Sequence, residues 1–252
     1  MLLQKTVFLS LFLLLIALSG CFGEKKKDES ILIVGTETNF PPFSLKKDGE
    51  ITGFDIDLVK EVAKRLHKKV EFQDMSFEAL IPQAQLGSVH LIAAGMTPTE
   101  NRAEKVFFTK PYIVSDSLLI VAPVEKLDVG SLEALKQGKR VVVNQGYTSD
   151  LFMSSVEGPE LIRLETPAEA FLALDQNRAD AFVTARNTLT PFFRVHDEKK
   201  YVTIPIPETT EQTAMIVSKK YPELLKEVQS ALDAIEADGT MHALKMKWGI
   251  HV

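Results

Sequence analysis

The chain is nearly devoid of cysteine: Cys21 is the only one in 252 residues. A lone thiol excludes an intrachain disulfide and any metal site built from several thiolates. Its five histidines, His67, His90, His196, His242 and His251, show no metal-ligand spacing, so solvated or capping roles are their default. Beyond residue 20 there is no apolar run near the roughly 20 residues that a membrane-crossing helix needs. Basic charge is not in excess either, with 29 Lys and Arg against 34 Asp and Glu and a formal charge of −5. A nucleic-acid binder should carry a basic domain or stripe, and the cluster Lys25-Lys26-Lys27 reads as a solvated spacer, so no nucleic acid is expected as a partner. No short internal repeat is present, and no feature calls for a cofactor or a metal.

The chain does have one long apolar run, residues 6–18 behind Lys5. It is too short to span the hydrocarbon core and reads as the hydrophobic region of an export signal. The next residues, Leu18-Ser19-Gly20-Cys21, resemble the lipobox of bacterial lipoproteins, in which the signal is cut before the cysteine and the thiol is acylated. The resemblance implies a signal peptide over residues 1–20, then a lipidated Cys21 and a polar tether over residues 21–30. The protein is then exported and held on a membrane by lipid, facing the periplasm or the cell exterior. Cutting before Cys21 removes one lysine and no acid, moving the formal charge from −5 to −6. The remaining length suits one large domain or two small ones.

Strand and helix patterns then alternate. Residues 31–36 are a short run rich in β-branched residues that ends at Gly35-Thr36, and residues 58–68 place Val59, Val62, Ala63 and Leu66 at helical spacing. Residues 70–75 read as a strand, and Ser76 is placed to cap a helix with Phe77, Leu80, Ile81 and Ala84 on its core face. Gly87 ends it, and residues 89–94 make another strand. The alternation continues with strands over 140–144, 161–164 and 180–184, and helices over 149–156 and 167–177. Residues 221–238 form a long closing helix with Leu224, Val228, Ala231 and Ile235 on one face and Gly239 at its end. Such alternation predicts an α/β fold with parallel sheets and right-handed crossovers. Two extended stretches, residues 117–123 and 201–217, interrupt it and are expected to cross between lobes.

Four segments are specific enough to carry a family resemblance: "VGTETNFPPFSLKKDGEITGFDIDLVKEVAKRL", "FEALIPQAQLGSVHLIAAGMTPTENRAEKVFFTKPY", "QNRADAFV" and "IEADGTMHALKMKWG". In this order and spacing the chain resembles the polar amino-acid-binding proteins of bacterial ABC importers, the family 3 solute-binding proteins. The resemblance implies the type II periplasmic-binding-protein fold: two α/β lobes, each a mostly parallel sheet flanked by helices, joined by a two-strand hinge and closing on solute. Lobe 1 is then expected over residues 31–116 and 211–252, and lobe 2 over residues 117–210. The implied partners are a small carboxylate-bearing solute, most readily an amino acid or derivative, and an ABC permease, with the binding protein itself a monomer. An enzyme reading stands beside this one, since cyclohexadienyl dehydratases share the fold. That reaction calls for a general acid, and Glu37 is the lone candidate.

Residue by residue, the resemblance assigns Arg102 to the solute's α-carboxylate, which the planar guanidinium fork suits. Without the motif, Arg102 would read as a surface arginine paired with Glu100 or Glu104. Gly95 and Thr97 are implied to approach the same carboxylate. Phe40 and Phe77 correspond to the aromatic positions that sandwich the solute's side chain, and Glu37 to an acidic position that meets its polar or cationic part. On the second lobe, "NQGYTSD" matches a turn in which Gly146 allows the bend, Thr148 offers its amide and hydroxyl, and Asn144 varies with the solute. Trp248 is expected to pack on lobe 1. After "NRADAFV" the family places an aspartate for the α-ammonium, and this chain has Ala185 there, between Thr184 and Arg186. Glu37 is the remaining acid that the family geometry suggests for a cationic group, with Thr184 and Asn144 as neutral acceptors.

Overall fold

The computed structural model describes residues 30–115, 117–193 and 197–250. The expected signal peptide, Cys21 and nearly all of the expected tether lie outside the described residues. The chain opens with β1 (Ile31–Thr36), a small meander of β2 (Asn39–Phe40), β3 (Ser44–Lys47) and β4 (Glu50–Thr52), then α1 (Phe54–Arg65) and β5 (Lys69–Asp74). It continues through α2 (Phe77–Leu86), β6 (Leu91–Ile92), the single turn α3 (Glu100–Ala103) and β7 (Phe107–Phe108). After β8 (Ile113–Ser115) come β9 (Leu118–Pro123), α4 (Leu132–Leu135), β10 (Arg140–Asn144), α5 (Thr148–Ser154) and β11 (Glu160–Leu164). Then follow α6 (Pro167–Asp175), β12 (Ala181–Ala185), α7 (Arg186–Phe193) and β13 (Tyr201–Pro205). The chain returns on β14 (Glu211–Thr213) and ends with β15 (Ile216–Val217), α8 (Pro222–Ala237) and α9 (Thr240–Trp248).

Two five-stranded sheets result, ordered β5-β1-β6-β15-β7 in lobe 1 and β11-β10-β12-β9-β13 in lobe 2. Side-chain alternation along each strand explains the two cores per lobe. In β1, Leu32 and Val34 face the layer of α1, α8 and α9, while Ile33 faces the layer of α2 with Leu80 and Ala84. In lobe 2, Val141, Val143 and Val183 pack with Met153, whereas Val142 and Phe182 pack with Phe171 and Leu174 on the opposite side. Along α8, Leu224, Val228, Leu232 and Ile235 are buried, each contributing about 1.5–3 kcal/mol by leaving water. Trp248 joins that layer and donates its indole N–H to Asp57 at 2.9 Å.

The sheets are mostly parallel: in each, four of the five strands run the same way and one runs against them. β5, β1 and β6 are parallel, as are β11, β10 and β12. β15 runs antiparallel to β6 and β7, and β9 antiparallel to β12 and β13. The exceptions have one cause: β9 and β15 each enter a sheet directly from β8 or β14, with no crossover helix to restore direction. Residues 117–123, expected as a crossing, are therefore mostly sheet strand β9, as the first part of 201–217 is β13. The crossing pair is β8 with β14, antiparallel, with Ile113 opposite Thr213 and Ser115 opposite Glu211. Ser76 does precede α2, but its hydroxyl makes no capping bond.

Candidate functional site

Residues at or just past the carboxyl ends of β1, β6, β10 and β12 (Glu37, Gly95, Gln145 and Ala185) line the gap between the lobes, the place where open α/β sheets bind ligands. A small inner chamber of about 30 Å³ lies there. Phe40, Phe77, Gly95, Thr97 and Arg102 line it from lobe 1, and Thr148 and Ala185 from lobe 2.

Arg102 is held by α3, whose N-cap Thr99 accepts the Arg102 backbone N–H at 3.3 Å. The side chain is only 5% exposed, which removes the surface-arginine reading. Its Nη1 donates to the Thr97 carbonyl at 2.6 Å and its Nη2 to the Gly146 carbonyl at 2.7 Å, so one guanidinium spans both lobes. It also lies 5.4 Å from the centroid of the Phe77 ring. Burial pulls its pKa down to about 10, against the charge of Glu211, and it stays a cation at neutral pH.

Phe40 and Phe77 both contact Tyr147, a residue the sequence had not singled out. Tyr147 meets Phe40 edge-on at 5.7 Å and Phe77 at 4.6 Å between centroids. Gly95 is required beside them: its φ is 61°, and a Cβ would collide with the Phe40 ring. The Gly95 N–H donates to Asp55 at 2.7 Å, and the Tyr112 hydroxyl donates to the same carboxyl at 2.7 Å. This buried support fixes the loop from beneath, and burial raises Asp55 to about 6. The Tyr147 hydroxyl reaches across the cleft to Glu37 Oε2 at 2.8 Å. Burial drives Glu37 up to about 7, and the neighbouring carboxylates of Asp74 and Glu165 push the same way.

A second unforeseen residue is Glu211, on the crossing strand β14. Its Oε2 accepts from the Thr97 hydroxyl of lobe 1 at 2.9 Å and from the Thr148 hydroxyl of lobe 2 at 2.8 Å. Burial raises its pKa, opposed by those two hydroxyls and by Arg102. Glu37 is thus not the sole acid near the site. A glutamate in a three-residue strand gives no periodic signal, and its one sequence clue was a charge inside a crossing between lobes.

Asn144 and Thr184 do not line the inner chamber. Strand alternation puts them with Val142 and Phe182, on the α6 and α7 side of the sheet, while Ala185 turns the other way. Asn144 donates to the Leu164 carbonyl at 3.3 Å, and its Oδ1 and the Thr184 hydroxyl have no hydrogen-bond partner among the described residues. Ala185 ends β12, and Arg186 begins α7 rather than continuing the strand.

Beyond Glu37 and Phe77 the gap widens into an outer cavity of about 290 Å³. Four carboxylates line it, Glu37, Asp74 and Glu78 from lobe 1 and Glu165 from lobe 2. Lys46 pairs with Asp74 at 2.6 Å, leaving the cavity negative on balance. The cleft therefore has a buried cation countered by one carboxylate, Glu211, at its inner end and clustered acids at its outer end.

Residues 32–251 match the bacterial extracellular solute-binding proteins, family 3. The chain belongs to that family. It is 32% identical over 229 residues to the ABC transporter glutamine-binding protein GlnH of Bacillus subtilis, covering 88% of this chain and 82% of the relative. It is also 32% identical over 244 residues to the arginine-binding extracellular protein ArtP of the same organism, covering 91% and 89%. Among solved structures, an ancestral arginine-binding protein bound to arginine is 35% identical, with a TM-score of 0.80, over 87% of this chain and 98% of that one. These relatives are binding proteins, and the chain shares their solute-binding role on the two-lobed type II fold.

Proposed function

We propose that this chain is the lipid-anchored receptor of an ABC importer for an L-amino acid with a cationic side chain. The observation that carries the reading is the distribution of charge along the cleft, with the Arg102 guanidinium inside and four carboxylates around the outer cavity. The solute's α-carboxylate meets the Arg102 guanidinium fork, while the Thr97 and Thr148 hydroxyls stay on Glu211. Its side chain lies along Phe40 and Phe77, displacing Tyr147, and its cationic end enters the acidic cavity beside Glu37. Closure of the lobes then buries the solute, and opening at the membrane releases it to the permease. The lipobox supports acylation at Cys21, which keeps the receptor beside that permease on the outer side of the membrane. The relatives named for binding support a carrier over a dehydratase.

Titration calorimetry with the twenty common amino acids tests the reading. L-arginine, L-lysine or L-histidine should bind tightest and L-glutamate not measurably. An acidic or aliphatic amino acid as the tightest binder would overturn it.

A further inference from the structure

The inner chamber is lined by one basic side chain, Arg102, and by one acidic side chain, Glu211, among the described residues. Glu211 is only 8% exposed, so its charge is felt inside the chamber rather than by solvent. The Thr188 hydroxyl of α7 lines the same chamber, is 5% exposed and has no hydrogen-bond partner among the described residues. A buried hydroxyl left in that state is costly, and it is an acceptor in want of a donor. Ala185 lines the same chamber with a methyl group and no charge. Resting on the amino-acid reading above, we propose that Glu211 and the Thr188 hydroxyl receive the solute's α-ammonium, making Glu211 the residue that selects amino acids over their des-amino analogues.

Arg102 and Glu211 neutralise one another inside the chamber. A carboxylate arriving alone would set two anions around one guanidinium in a low-dielectric space. A zwitterionic head group brings its own cation, so that each buried charge of the protein gains an opposite one. An ammonium also offers three donors in a compact head, matching a carboxylate and a hydroxyl from different walls. Glu37 is then left for the far end of the solute.

The test compares wild type, Glu211→Gln, Glu211→Asp and Thr188→Val by calorimetry. The probes are L-arginine, L-lysine and L-histidine, and the analogue of each with hydrogen in place of the α-amino group. Glu211→Gln keeps shape and an acceptor for both threonines, and should weaken the tightest-binding amino acid at least tenfold while binding its des-amino analogue as tightly as wild type or more tightly. Glu211→Asp should fall between wild type and Glu211→Gln. Thr188→Val, which keeps the side-chain shape, should weaken the amino acid severalfold and leave the analogue unchanged, a readout that stands if Glu211→Gln folds poorly. Equal affinity of Glu211→Gln and wild type for the amino acid, or equal losses for amino acid and analogue, would overturn the assignment while the receptor reading survives. Failure of wild type to bind any of the three amino acids would overturn both.

Discussion

The Tyr147 hydroxyl on lobe 2 donates to Glu37 Oε2 on lobe 1 across 2.8 Å, and both residues are buried. This bond ties the lobes at the point where the inner chamber meets the acidic cavity. Tyr147→Phe keeps the ring against Phe40 and Phe77 and deletes the donor, at a cost of about 1 kcal/mol in folding stability. Because the bond favours the ionised carboxyl, its loss should also move Glu37 further upward. The midpoint of the pH profile of solute binding should therefore rise in this variant, as read by affinity at a series of pH values.

Glu37 links binding to pH with a definite sign. Its folded pKa of about 7 lies above its ordinary 4.5, so its contribution to stability is fully present below about 4.5 and is lost as pH rises through about 7. Asp55, raised to about 6, acts in the same sense. A solute cation beside Glu37 favours its ionised form, so binding should release a proton near neutrality and tighten from about pH 6 to about pH 8. Calorimetry in two buffers of different ionisation enthalpy measures that proton. Glu37→Gln should abolish its release, and proton uptake by wild type would contradict the placement of the cation.

Arg102→Ala should weaken amino-acid binding by at least about 2 kcal/mol, the scale for losing a buried charged partner. Arg102→Lys should recover only part of this, because a point charge cannot reach the Thr97 and Gly146 carbonyls while gripping a carboxylate with a fork. Titration of both variants after a melting check decides it. Affinity unchanged in Arg102→Ala would place the head group elsewhere.

Cys21→Ala should block acylation and leave the signal uncut by the lipoprotein route. Incorporation of a fatty-acid probe in the wild type and its absence in the variant is the expected pattern, and equal labelling would remove Cys21 as the anchor.

Much of the fold could be read in advance because burial imposes a period. Leu32, Ile33 and Val34 announce a strand buried on both faces, and Leu224, Val228, Ala231 and Ile235 announce a helix with one dry face. The hinge could not be read this way, since three residues in β8 and three in β14 are too few to display a period. Arg102, Gly95 and Thr97 sit in a run whose resemblance to the family is the signal. Tyr147 stands in the matched turn with no role assigned to it and Glu211 stands outside the four matched segments, so three-dimensional convergence is what shows that they face the cleft. Thr184 and Ala185 differ by one step of strand alternation, which turns one inward to the helices and the other toward the chamber.

The location of Glu211 on β14 has a kinetic consequence. In a rotation about the two crossing strands, points near the axis travel least, and the acidic cavity contains no residue from either strand. A head group seated at Glu211 and Arg102 keeps much of its environment through opening, whereas contacts from Glu165 to a side-chain end are made and broken in full. Encounter is then governed by the part of the solute that all amino acids share, and residence time by the part in which they differ. Discrimination between amino acids should accordingly be written in dissociation rates, with association rates nearly alike across the series.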